Sequence, residues 1–236
     1  MNEQTQQLAA TLLAMADDEL ILAHRNSEWI GHAPILEEDI AIANIAQDEL
    51  GHAMIWYDLY AGLTGADADE LVFQRDAADW RNVQLVELPT GDWAFTMLRQ
   101  FLFDAYELFL LRHLQDNDYA PLVEAVAKIQ NEELYHYRHS STWVRYLGLG
   151  TAESQQRMQA ALDELWGYAA QLFVGETAVF QQQWREMVSE HLSACGLIIP
   201  PNDEPPTLSR LSHSLHLTTL LADMQVVARR EPSAKW

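Results

Sequence analysis

A single cysteine, Cys195, excludes an internal disulfide and with it the small secreted scaffolds that depend on several. A thiolate metal site is excluded for the same reason. Cations are also scarce. Fourteen Lys and Arg face 35 Asp and Glu, a formal net charge of −21. Such a surface repels phosphate backbones and anionic lipid, so neither nucleic acid nor membrane is an expected partner. No long apolar run is present. The most apolar stretch, from Phe101 to Leu114, is broken by Asp104, Glu107, Arg112 and His113, so no membrane span is expected. Met1 to Leu13 has no basic start and no continuous apolar segment, so no secretory signal is expected either. These absences point to a cytoplasmic protein with one large core over residues 1–236.

Glycine and proline are few, and they cluster between long segments of helical periodicity. An all-α fold is predicted, with helices from about Glu3 to Trp29, Ile35 to Ala61, Asp92 to Gln115 and Pro121 to Leu147. A short helix is expected from Asp67 to Trp80, and a loop around Pro89 from Asn82 to Thr90. Further helices are expected from Ala152 to Phe173 and Thr177 to Ala194. The four prolines between Ile198 and Thr207 predict a loop, and a last helix is expected from Leu208 to Arg229. The core bundle thus occupies about residues 3–147 and a helical extension about 150–230.

What the chain does have is two Glu-x-x-His pairs, Glu49/His52 and Glu133/His136, 84 residues apart. Count alone is uninformative: 19 Glu and 9 His in 236 positions give about 0.7 such pairs by chance. Placement is informative. Glu49 and His52 sit in an apolar stripe with Ile42, Ile45 and Trp56; Glu133 and His136 sit in one with Val126, Ile129 and Trp143. Glu19 and Glu107 lie one helix upstream, 30 and 26 residues before the glutamates of the pairs. A dimetal four-helix bundle draws a Glu from each of two helices and a Glu-x-x-His from each of the other two. The candidate ligands are therefore Glu19, Glu49, His52, Glu107, Glu133 and His136. The i, i+3 spacing puts each pair on one helical face. Buried without a partner, four carboxylates and two imidazoles would cost several kcal/mol each, which a cation pair removes. Iron, or a manganese–iron pair, suits this donor set. Asp48 and Glu132, each just before a pair, are expected to accept the outer N–H of the histidine from the opposite half.

Blander readings compete. A lone His52 or His136 fits a satisfied core histidine, and Glu19, beside Asp17 and Asp18, fits the edge of a solvated face. Glu37, Glu38 and Asp39 fit favourable charges in a first helical turn. His24, His32, His113, His139, His191, His213 and His216 show no paired spacing and receive no role.

The segment Ser27-Glu28-Trp29-Ile30-Gly31-His32-Ala33-Pro34, with Asp39 to Asn44, resembles the C-subunit family of the ring 1,2-phenylacetyl-CoA epoxidase, a bacterial multicomponent oxygenase of phenylacetate catabolism. The similarity runs through Leu71, Phe73 and Arg75, Arg99 to Ala105, Tyr135-His136, Leu221 to Gln225 and the terminal Trp236. The resemblance implies a ferritin-like helical fold. It also implies pairing with a homologous A subunit that carries the catalytic di-iron centre, contact with the other epoxidase subunits, and a separate reductase with flavin and an iron–sulfur cluster. A C subunit of this kind is an accessory, structural one, commonly lacking a complete ligand set; this chain holds ligand-type residues at all six positions. Three functions stay open: an accessory and structural role in the complex, a di-iron oxygenase or oxidase in its own right, and an iron store or ferroxidase. A homodimer in isolation also stays open. The shortage of Lys and Arg favours a CoA handle resting on another member of the complex.

Overall fold

The computed structural model describes residues 2–201, 204–205 and 207–231, and every segment of regular structure among them is helical. In chain order these are α1 (Glu3–Ser27), α2 (Leu36–Thr64), α3 (Ala68–Phe73), α4 (Gln84–Glu87), α5 (Trp93–Leu114), α6 (Ala120–Gly148), α7 (Ala152–Ala169), α8 (Gln181–Ala194), α9 (Leu215–Met224) and α10 (Val226–Arg230). Four long helices, α1, α2, α5 and α6, form the ferritin-like bundle. Helices α1 and α2 make one antiparallel pair, α5 and α6 the other, and α7 packs across α5 and α6. One continuous hydrophobic cluster runs from Leu12 to Leu221 and joins the bundle to the C-terminal helices. No helix among the described residues is long and apolar enough to cross a membrane.

Local chemistry sets the helix ends. The Asn2 side chain accepts the Thr5 N–H at the start of α1, and Asp92 accepts the Phe95 N–H at the start of α5. Helix α2 runs through Gly62 and stops only at Gly65, whose φ of 77° is the left-handed cap conformation. Asp39, in the first turn of α2, accepts the Gly31 N–H at 2.7 Å, which pins the turn after α1 to the next helix. Helix α1 accordingly ends at Ser27, before the expected Trp29.

The structure departs from the expected periodicity in five places, and at three of them tertiary contacts decide the outcome. The expected loop from Asn82 to Thr90 contains α4, whose first N–H groups are met from outside the segment: Val83 donates to Asp18 and Gln84 to Gln171, both at 2.7 Å. The expected short helix to Trp80 breaks after Phe73, where the Arg75 guanidinium turns to Asp17. The helix expected to Phe173 ends in 3-10 geometry at Ala170–Leu172, and the one expected from Thr177 begins in 3-10 geometry at Gly175–Phe180. The last helix starts at Leu215 rather than Leu208. Residues 209–214 stay non-helical because their polar groups bond to the bundle: Arg210 to Asp18 at 2.8 Å, Ser212 O to Gln84 at 2.9 Å, and the Ser214 N–H to Glu87 at 2.7 Å. Pro206 and Trp236 lie outside the described residues.

Asp17, Asp18 and Glu19 do not edge a solvated face; all three are buried. Asp17 holds Arg75 at 2.5 Å and takes the Tyr57 hydroxyl at 2.6 Å and the Arg81 N–H at 2.8 Å. Asp18 is paired with Arg210. Two histidines without an expected role are paired as well, His139 with Glu38 at 2.7 Å and His213 with Glu87 at 2.6 Å. Helix spacing shows neither, because each pair joins elements far apart in the chain.

Candidate metal centre

Each bundle helix turns one or two of the candidate residues inward. Glu19 comes from α1, Glu49 and His52 from α2, Glu107 from α5, and Glu133 and His136 from α6. None is more than 4% exposed. The i, i+3 spacing on α2 and α6 brings each Glu and His to the same cluster. His52 Nδ1 lies 2.8 Å from Glu133 Oε1 and 3.6 Å from Glu19 Oε2. His136 Nδ1 lies 3.5 Å from Glu133 Oε1 and 3.9 Å from Glu49 Oε1. The imidazole centroids are 6.0 Å apart. Three ligand triads overlap: Glu19/His52/Glu133, Glu19/Glu49/Glu107 and Asp104/Glu107/Glu133, each with donor atoms within 4.8 Å of one another.

The outer ring nitrogens cross between helices reciprocally. His52 Nε2 lies 2.8 Å from Glu132 Oε2 on α6, and His136 Nε2 lies 3.3 Å from Asp48 Oδ2 on α2. Both acids are partly exposed, so this side of the centre approaches solvent. A carboxylate on Nε2 makes that nitrogen the donor and leaves Nδ1 to face the cluster.

Burial and proximity spread the proton affinities. Burial raises Glu49 and Glu107 well above the ordinary carboxylate range, and their acidic neighbours raise them further. Burial acts the same way on Glu133, but His136 and His52 outweigh it and hold this carboxylate far below its usual range. Burial alone would lower the histidines. The carboxylates against them reverse this, pushing His52 up to about 12 and His136 up to about 11. These shifts favour an ion triad of Glu133 with two imidazolium rings, beside two carboxyls biased toward their neutral form.

The donor set fits a cation pair. Glu19 Oε2, Glu49 Oε2, Glu107 Oε2, both oxygens of Glu133 and the Nδ1 atoms of both histidines are buried without an aligned hydrogen-bond partner. Every one of the six side chains thus has at least one donor atom to offer. Carboxylate and imidazole donors suit iron or manganese.

Sequence reasoning missed a polar layer next to these residues. Asp104, fully buried on α5, is pushed up to about 8, first by burial and with Glu133 adding to it. Its spacing of three before Glu107 is a signal that could have found it. Gln100, Asn26 and Ser140 join it. Trp56 approaches Glu19 Oε1 with its indole N–H at 3.3 Å.

The sequence model of the family described as "Phenylacetic acid catabolic protein" matches residues 1–236. The chain belongs to that family. Within it, the chain is 35% identical to the C subunit of 1,2-phenylacetyl-CoA epoxidase from Escherichia coli (strain K12), over 98% of this chain and 99% of the relative. It is also 26% identical to the A subunit of the same bacterium's epoxidase, over 67% of this chain and 51% of that relative.

Proposed function

We propose that this chain is the C-type accessory subunit of a phenylacetyl-CoA epoxidase, packing on a homologous A subunit and holding its own pair of iron or manganese ions. The observation that carries this reading is the end-to-end similarity to the E. coli C subunit. The weaker likeness to the A subunit supports a heteromeric pair built from related bundles. An apolar seam on α2 offers a surface for that pairing. Leu36, Ile40, Leu50 and Met54 are all exposed, at coiled-coil intervals completed by Ala43 and Gln47. Leu50→Glu/Met54→Glu is expected to leave the chain helical and abolish co-elution with the A subunit in size-exclusion chromatography. Undiminished co-elution would move the interface elsewhere.

The orphaned donor atoms favour a second reading, that the chain performs oxygen chemistry itself. When bound, an iron pair supplies one-electron redox chemistry toward dioxygen. This chain's residues would hold the ions in place, orient the imidazoles through Glu132 and Asp48, and keep bulk water from the carboxylates. The metal centre is tested directly. Protein from iron-supplemented cells is expected to carry about two metal ions per chain, lost in Glu49→Ala/His52→Ala. Metal-free wild-type protein would make the cluster a relic and leave the scaffold role alone. If the ions are present, dioxygen uptake by the reduced chain without its partner separates the two readings.

A further inference from the structure

Gln100 sits on α5, two turns before Glu107, and is fully buried. Its Nε2 lies 2.7 Å from Glu49 Oε1 on α2 and 2.5 Å from Asp104 Oδ1 on its own helix. Its Oε1 accepts from Asn26 Nδ2 on α1 at 2.8 Å. Asp104 Oδ2 accepts from the Ser140 hydroxyl on α6 at 2.6 Å. All four bundle helices therefore contribute to one hydrogen-bonded layer, which is hydrogen-bonded to the six ligands expected from the sequence at a single atom, Glu49 Oε1. In this arrangement the amide nitrogen faces both carboxyl groups and the amide oxygen faces Asn26.

From this geometry we infer that Gln100 is a positioning residue of the metal centre, tethering Glu49 by Oε1 so that Oε2 is the oxygen with no competing hydrogen bond and is the one presented to an ion. The inference rests on the metal centre proposed above. It makes the two halves of the site unequal. Glu133, at the position matching Glu49, has no amide tether: its Oε1 faces only the Nδ1 atoms of the candidate ligands His52 and His136, and neither oxygen has an aligned hydrogen bond. One glutamate is held to a single donor oxygen while its counterpart keeps two.

Cobalt(II) titration of the full chain tests it, since the visible absorption of bound cobalt reports coordination number. Gln100→Met keeps the length of the side chain and removes all three polar contacts. It is expected to weaken cobalt binding 10- to 100-fold, the usual loss when a partner of a ligand is removed, and to change the cobalt absorption as Glu49 becomes free to use both oxygens. Asn26→Asp leaves Gln100 in place but offers it only acceptors, which turns the amide around. It should reproduce both effects, and should also report if Gln100→Met does not fold. The double variant should be no worse than Gln100→Met, because both changes break the same tether. Wild-type affinity with an unchanged cobalt spectrum in the folded variants would overturn the positioning role while leaving the metal centre standing. No cobalt uptake by the wild-type chain would overturn the centre itself, and the positioning role with it.

Discussion

Glu133→Gln is expected to destabilise the metal-free protein by about 3–5 kcal/mol, the loss typical of removing one partner from a buried ion cluster, and to abolish metal uptake. Glu133 is the one carboxylate of the cluster that both imidazoles face, at 2.8 and 3.5 Å through their Nδ1 atoms. Those two rings hold it ionised against complete burial. The amide has nearly the same shape but cannot balance two imidazolium charges. Glu49→Gln and Glu107→Gln should behave differently. Burial and neighbouring acids raise those carboxyls well above the ordinary carboxylate range, so an amide replaces a group biased toward its neutral form. Their metal-free stability should stay within about 1 kcal/mol of wild type, while metal binding is lost all the same. Urea denaturation in the presence of a chelator, alongside metal analysis, separates the cases. Equal stability of Glu133→Gln and wild type would mean that the charge is not centred on Glu133.

Raising the pH is expected to weaken the metal-free protein and strengthen its grip on metal. His52 and His136, raised to about 12 and about 11 from an ordinary 6.5, contribute stability that is complete below 6.5 and is lost as the pH climbs toward those values. Glu49 and Glu107 act with the same sign, because each holds in the fold a proton that the unfolded chain releases near 4.5. Between pH 7 and 9 the native metal-free chain therefore carries more protons than the unfolded one, and each excess proton costs about 1.4 kcal/mol per pH unit. Metal binding must expel the protons of His52 and His136 and works against the raised proton affinity of Glu49 and Glu107, since only deprotonated groups act as ligands. Calorimetry in buffers of different ionisation enthalpy should register proton release on metal binding, with apparent affinity rising over the same range. Binding without proton release would contradict the protonation of the bare cluster. A chelated protein that gains stability from pH 7 to 9 would do so as well.

The helical class, the four long bundle helices and the convergence of Glu19, Glu49, His52, Glu107, Glu133 and His136 were legible in the sequence. All of these depend on periodicity within a helix, where i, i+3 and i, i+4 spacing puts residues on a common face. The approach of Glu132 to His52 and of Asp48 to His136 is legible for the same reason, once two similar helix pairs are set face to face. Other features needed the third dimension. The burial of Asp17 and Asp18 depends on Arg75 and Arg210, 58 and 192 residues away in the chain. Helix α4 exists because Asp18 and Gln171 satisfy its first N–H groups, and residues 209–214 stay out of the last helix because their polar groups bond to the bundle. The Asn26–Gln100–Asp104–Ser140 layer is drawn from three helices and closes on Glu49 in a fourth. Spacing along a chain records which side chains share a face. Which carboxylate finds a cation, and which amide finds a carboxylate, depends on which faces meet, and that is a property of the packed bundle.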